Sequence, residues 1–448
     1  MILLHGVNMV YKRPPYAPSV TGFNGPDADF LRRNGFNTVR LGMIYAGVEP
    51  QPGQYDSGYI QRVRRTEKVL AKRGIFSLVD FHQDLYNEKF TGEGWPDWAV
   101  IDDGMPAEPL TGFPGSYVSS PGLNQAFNNF WANRAGPGGV GLQDRYASAW
   151  QRVALSFRKR PYVLGYDLLN EPWPGSPTFL TCASPQGCPI FEQQTLAPME
   201  RKAIEAIRTA DGRHLVWYEP VVTSQFGTEY NIPDLGDPNA GMSFHTYCLL
   251  GALGGSGGDD TCDELEEVSL TNAGERADAN GDTLLLSEFG ASDAAPVIKR
   301  MVDRADRHMI SWQWWHYCGC ADPTTSGPGD TQALVHDPRK PPRADNVFRD
   351  KLTLLERPYP QAVAGTPVRY RFNRDSRRFE LVFTKRRAAG RGRFRRGLTD
   401  VFVPKLHYPG GYRARVGGAR VVSRRNAQHL VLRGLRRARR IRLVVQPR

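Results

Sequence analysis

Eight short apolar runs are spaced along the first three-quarters of the chain: Leu3–Asn8, Thr38–Met43, Phe76–His82, Val163–Asn170, Leu215–Glu219, Gly241–Tyr247, Thr283–Phe289 and Ile310–Tyr317. Between several of them, apolar residues recur at helical spacing, over Pro26–Asn34, Tyr59–Arg73, Leu142–Arg158, Pro198–Ala210 and Ala294–Arg307. Strands alternating with helices predict parallel βα units, and eight units predict a (β/α)8 TIM barrel. After Pro358-Tyr-Pro360 the period changes to two. Val368–Phe372, Phe379–Phe383, Val401–Val403, Ala419–Val422, His429–Leu432 and Ile441–Val445 then read as short strands separated by Gly, Arg and Asn turns. That pattern predicts a C-terminal antiparallel β-sandwich, giving a barrel over residues 1–357 and a sandwich over residues 358–448.

The polar residues that interrupt the barrel pattern are not scattered. Asn8, Arg40, His82 with Asp84, Asn170 with Glu171, Glu219, His245 with Tyr247, Glu288 and Trp314 all fall at or just past the ends of strands. In a (β/α)8 barrel that face carries the active site, because the loops of all eight strands converge there. Leu168-Leu-Asn-Glu-Pro172 and Leu286-Ser-Glu-Phe-Gly290 place one Glu each after strands four and seven, on nearly opposite sides of the mouth. Two carboxyls facing across a cleft are what glycosidic cleavage needs, one donating a proton while the other attacks or activates water. Serine-nucleophile chemistry is excluded, since there is no Gly-x-Ser-x-Gly elbow. Phosphate-loop and dinucleotide fingerprints are missing as well. The glycine-rich Gly251–Gly258 stretch reads as a loop at the mouth.

On these residues the sequence resembles glycoside hydrolase family 5. Asn170-Glu171-Pro172, Glu288-Phe289-Gly290, Arg40 after strand two, His82 after strand three, and His245 with Tyr247 on strand six match its motifs in order. Within the family it is similar to the endoglycoceramidases, through Asp80-Phe-His-Gln-Asp84, Phe130-Trp-Ala-Asn133, Gly141–Tyr146 and the basic sandwich. The resemblance implies a retaining hydrolase that cuts between the oligosaccharide and ceramide of a glycosphingolipid, with Glu171 as acid/base and Glu288 as nucleophile. A β-1,4-glucanase, a glucosylceramidase-like enzyme and a non-catalytic glycan- or membrane-binding protein are the alternatives.

The retaining mechanism sets the carboxyl separation at about 5 to 5.5 Å. Arg40 is expected to keep Glu288 ionised and Tyr247 to orient it, while Asn170 would bond the sugar 2-hydroxyl. His245 would buttress Arg40 or a catalytic Glu. His82 and Asp84 bind sugar hydroxyls or hold structure, and Lys12 touches sugar or is solvated. Glu219 is polar support or a substrate contact. Trp314, within Trp312-Gln-Trp-Trp315, is either the sugar-stacking platform or core. An apolar ceramide groove is expected between loop residues Trp95, Trp98, Phe113, Phe127 and Trp131. No metal or cofactor is called for.

Charge divides the chain as the pattern does. Residues 357–448 carry 26 Lys and Arg against three acids, a net of +23, whereas the rest carries 32 basic and 43 acidic residues, a net of −11. The basic unit is either an Arg-enriched solvated face or a contact for anionic membrane or acidic glycolipid. Nucleic acid is not expected, because no recognition motif accompanies the charge. No apolar run reaches the length of a membrane span. Six cysteines without zinc spacing are read as Cys182/Cys188 and Cys248/Cys262 bridges, hence a secreted protein, with free buried thiols as the alternative. Met1–His5 is too short for a leader, so one is expected to have been removed. The expected state is a monomer.

Overall fold

The computed structural model describes all 448 residues except 177, 183, 248–258, 326–330 and 396, together with the side chains of 259–261. Eight parallel strands close a barrel in chain order: β1 His5–Met9, β2 Thr38–Ile44, β3 Phe76–His82, β4 Val163–Asp167, β5 Leu215–Tyr218, β6 Ala240–Thr246, β7 Thr283–Phe289 and β8 Ser311–Trp314. Strands β1, β2 and β6 are buried at every position, as expected of a parallel sheet covered by helices outside and packed side chains inside. The principal helices are α1 Gly25–Arg33, α2 Ser57–Ala71, α3 Pro121–Trp131, α4 Leu142–Phe157, α5 Ala197–Ala210, α6 Asp259–Asn280, α7 Ala295–His308 and α8 Arg349–Leu355. Helix α1 starts on a capping box, the Asn24 side chain taking the Asp27 amide and the Asp27 carboxylate taking the Asn24 amide. No described helix is long and apolar enough to cross a membrane.

The C-terminal unit is two packed antiparallel sheets. One has the order β10 Thr366–Asn373, β11 Arg378–Thr384, β16 Arg440–Pro447, β13 Tyr412–Gly417; the other has β14 Ala419–Val421, β15 His429–Gly434, β12 Leu398–Phe402, β9 Tyr359–Ala362. Two of these strands, β9 and β13, lie outside the six expected from sequence. Pro360 interrupts β9, which is tolerated because β9 is an edge strand. Edge strand β13 alternates with exposed Arg413 and Arg415, which mutes its apolar pattern.

The sandwich closes the barrel at the end opposite the strand C-termini. His5, which opens β1, stacks on Tyr359 at 3.6 Å, and the Tyr359 hydroxyl donates to Gly35 O at 2.6 Å. Gly35 has φ +84, and a Cβ there would meet the Phe402 ring at 2.3 Å, so only glycine fits. Arg357 pairs with Asp303 at 2.7 Å and Asp306 at 2.6 Å beneath α7.

Cys182 and Cys188 form the expected bridge, and Cys318 bridges to Cys320. Cys248 and the Gly251–Gly258 stretch lie outside the described residues.

Candidate active site

Strand β2 carries Arg40 into the centre of the barrel mouth, where it is fully buried. Its Nε donates to Asp167 Oδ2 at 2.8 Å, and its Nη2 to Asp80 Oδ1 at 3.0 Å, Asn170 Oδ1 at 2.9 Å and Glu219 Oε1 at 2.8 Å. Its Nη1 bonds Glu288 Oε1. One guanidinium thus ties together carboxylates from the ends of β3, β4, β5 and β7. Burial of so many carboxylates around one cation is only partly compensated, and it lifts Asp167 to about 7 although Arg40 pulls the other way.

The two glutamates meet different surroundings. Glu288 takes the Arg40 guanidinium on one oxygen and the Tyr247 hydroxyl, at 2.7 Å, on the other. Glu171 has one side-chain partner, His245 Nδ1 at 2.9 Å from Oε1. Burial raises the Glu171 carboxyl; His245 opposes that rise, while Glu288 and Asp84 add to it. Burial would lower His245, but Glu219 and Glu288 hold it well above the ordinary imidazole range. Oxygens of Glu171 and Glu288 lie within 4.8 Å of each other, far inside the spacing that leaves room for a water between them.

A second polar group stands beside this pair. Lys12 Nζ donates to Asp84 Oδ2 at 2.6 Å and Thr324 Oγ1 at 2.7 Å, lies 3.2 Å from Asp322, and sits 4.6 Å over the Trp315 ring. His82 faces Asp80 Oδ2 through Nδ1 at 2.9 Å and stacks on Trp315 at 5.2 Å. His82, Asp84 and Glu93 have metal-like spacing, as do Glu171, His245 and Glu288, but each set already neighbours a side-chain cation, Lys12 or Arg40.

Both groups open onto one cavity of about 430 Å³. Lys12, His82, Asp84, Asn170 and Gln332 line its polar part; Phe113, Val118, Trp173, Phe179, Phe226 and Val297 line an apolar part; Glu171 and Glu288 border it as well.

The comparisons with known proteins agree with this geometry. Residues 24–320 match the Cellulase (glycosyl hydrolase family 5) family, and residues 357–445 match the glycoside hydrolase family 5 C-terminal domain. The chain belongs to glycosyl hydrolase family 5. It is 34% identical over 433 residues to endoglycoceramidase I of Rhodococcus hoagii, covering 94% of this chain and 80% of that relative. It superposes on endo-glycoceramidase II from Rhodococcus sp., solved as a ganglioside GM3 complex and as a lactosyl-enzyme intermediate. In both cases the TM-score is 0.80 and the identity 28%, over 100% of this chain and 97% of that one.

Within this family 5 site, Glu171, Glu288, Lys12, Arg40, His82, Asp84, Asn170, His245 and Tyr247 gather at one mouth. His245 supports glutamates and not Arg40. Lys12 is buried rather than solvated. Asn170 is engaged by the protein at both ends, its Nδ2 donating to Gln83 O at 2.9 Å and its Oδ1 accepting from Arg40.

Two expectations need correction. Trp314 is fully buried and absent from the cavity wall; Trp315, one residue past β8, faces the cavity. Trp312 and Trp314 share the outer face of β8 by the two-residue period, while Gln313 points inward to Thr38 Oγ1 at 2.9 Å. Of the five aromatics expected to wall an apolar groove, only Phe113 lines the cavity. Trp95 and Phe127 are buried in the core. Trp98 caps Glu49 O, Trp131 caps Trp173 O, and Phe127 and Trp131 belong to α3. Asp322, Thr324 and Gln332, on the loop after β8, were not anticipated, because an irregular loop carries no periodic signal.

Proposed function

We propose that this protein is a retaining endo-β-glycosidase that hydrolyses the bond between the glycan and ceramide of glycosphingolipids. The observation that carries this reading is the two-natured cavity, in which the two glutamates lie close together where polar and apolar linings share one space. A glycan seats against Lys12, Asp84, His82 and Trp315, and an acyl chain lies along Phe113, Val118 and Phe179. A polymer-cutting glucanase instead needs a long cleft with exposed aromatic platforms, and no described Trp is among the exposed large hydrophobics. The relatives named for endoglycoceramidase, and the GM3 complex among them, support the substrate class.

Glu288 is assigned as nucleophile, because two donors fix both of its oxygens, and Glu171 as acid/base, because burial lets it hold a proton. Glu171 protonates the departing ceramide oxygen while Glu288 attacks the anomeric carbon; Glu171 then takes a proton from the water that releases the sugar from Glu288. The test is incubation of the protein and Glu288→Ala with a glycosphingolipid panel in detergent and with a soluble cello-oligosaccharide. Intact oligosaccharide plus ceramide, lost in the variant, is expected. Cleavage of the glucan alone overturns the lipid specificity.

The disulfides suit a secreted enzyme. The basic sandwich, at the far end of the barrel from the cavity, would serve as an electrostatic tether to anionic membrane. Co-sedimentation of the full chain with phosphatidylglycerol vesicles, falling as salt rises, is the expected result. Equal binding to phosphatidylcholine vesicles at all salt concentrations overturns the tether.

A further inference from the structure

Glu219, just past the end of β5, is buried and outside the apolar cavity wall, yet every hydrogen bond it makes touches the site. Its Oε2 accepts the backbone N–H of Glu171 at 2.9 Å. Its Oε1 accepts from Arg40 Nη2 at 2.8 Å and lies 3.3 Å from His245 Nε2. Glu171 has φ +45, a left-handed conformation that a residue with a Cβ holds only when its surroundings impose it. A buried amide in such a turn needs an acceptor, and Glu219 provides it.

We propose that Glu219 is a positioning residue for Glu171: one oxygen anchors the peptide that aims the acid/base carboxyl, and the other anchors the His245 ring that bonds that carboxyl. This rests on Glu171 being the acid/base. His245 spans the two glutamates, its Nδ1 hydrogen-bonded to Glu171 at 2.9 Å and its Nε2 in ion-pair contact with Glu219 at 3.3 Å. With carboxylates at both nitrogens, the imidazole remains a cation with its positive end toward Glu171. Around this axis stand Arg40 from β2, Asp80 from β3, Asp167 from β4, Tyr247 following β6 and Glu288 on β7; Asp84 faces Glu171 from beyond β3.

Glu219→Gln keeps the shape. Its amide oxygen still accepts the Glu171 N–H, but its amide nitrogen, standing in the place of Oε1, gives up the bond from Arg40 Nη2, donates to His245 Nε2 and makes the imidazole neutral, so the His245 end of the anchor is loosened while Arg40 keeps Glu288. Glu171 then loses the adjacent cation, so its proton is held to higher pH.

The experiment compares the full-length protein with Glu219→Gln on lactosylceramide in detergent and on dinitrophenyl β-lactoside, whose leaving group needs no protonation. The expected kcat/KM on lactosylceramide falls at least about tenfold, and its basic limb moves to higher pH, while the first step on the aryl lactoside changes less than about threefold. Equal losses on both substrates with an unmoved limb overturn the proposal. If the wild type cleaves the aryl lactoside but not lactosylceramide, the substrate reading fails alone, and the limb is read on an alkyl β-lactoside of equally poor leaving group. If Glu219→Gln does not fold, Glu219→Asp keeps the charge while shortening the reach. It is expected to lose the poor-leaving-group reaction selectively, and an equal loss on both substrates overturns the proposal there too.

Discussion

Replacing Tyr247 by Phe isolates the smallest part of the nucleophile's setting. The hydroxyl donates to Glu288 Oε2 at 2.7 Å, while Arg40 holds the other oxygen. The ring packs against Val10, Ile44 and Trp315, so Phe keeps that packing and only the donor is lost. A hydrogen bond to a charged group contributes about 1.5 to 3 kcal/mol, which is about 10- to 150-fold in rate if the orientation it imposes is realised in attack on the sugar. The lower end applies if water replaces the hydroxyl. An activated 2-deoxy-2-fluoro-β-lactoside reports this step alone, because it traps the enzyme at the glycosyl stage. The rate of inactivation by this reagent should fall by the same factor as kcat/KM, with the adduct still on Glu288. Inactivation within twofold of wild type would show that Tyr247 does not orient the nucleophile.

Three further outcomes follow from neighbouring features. Trp315→Ala should lower kcat/KM for lactosylceramide with a small change in Tm, whereas Trp314→Ala should cost about 3 to 5 kcal/mol of stability in denaturant unfolding and change catalysis less; the reverse would restore Trp314 as the platform. Lys12→Met leaves Asp84 and Asp322 buried without their ammonium, so the unfolding free energy should drop by about 3 to 5 kcal/mol and KM should rise; a stability unchanged in denaturant titration would refute the pairing. Burial lifts the Glu356 carboxyl from 4.5 to about 8, so between those values the folded chain binds more protons than the unfolded one. Stability therefore falls as pH rises through that window, by at most about 5 kcal/mol from this group, and Glu356→Gln should flatten the fall in unfolding measured at pH 5 and pH 8.5.

Much of this was legible in the chain because the barrel writes its register plainly. Strands β3 and β7 fall at the residues their apolar runs mark, and a Glu after a strand end in a (β/α)8 fold has few places to go but the mouth. Of the two readings of Trp314, platform and core, the structure gives core, and the reason is period. Trp312 and Trp314 are two apart and share a face, a signal present in the sequence, and the inward Gln313 between them confirms which face it is. Trp95 and Phe127 were misplaced because aromatic content does not distinguish a cavity wall from the core behind it. Asp322 and Thr324 reach Lys12 from a loop whose path is set by tertiary contact. Glu219 was visible as a strand-end acid, but its tie to the Glu171 amide depends on the turn after β4, which no pattern announces.

The sandwich beneath the barrel has a consequence for how the chain is made. Residue 2 pairs with residue 362, the Leu3 amide reaches Gln361 O at 3.2 Å, and β1 lies between β2 and β8. The opening strand thus joins partners synthesised some three hundred residues later, and loop closure over such spans slows folding. During synthesis the first βα units are left with an unsealed sheet edge until β8 and β9 emerge. A chain cut after α8 should therefore fail at assembly, aggregating with its full set of site residues intact, rather than yield a small barrel with catalytic activity.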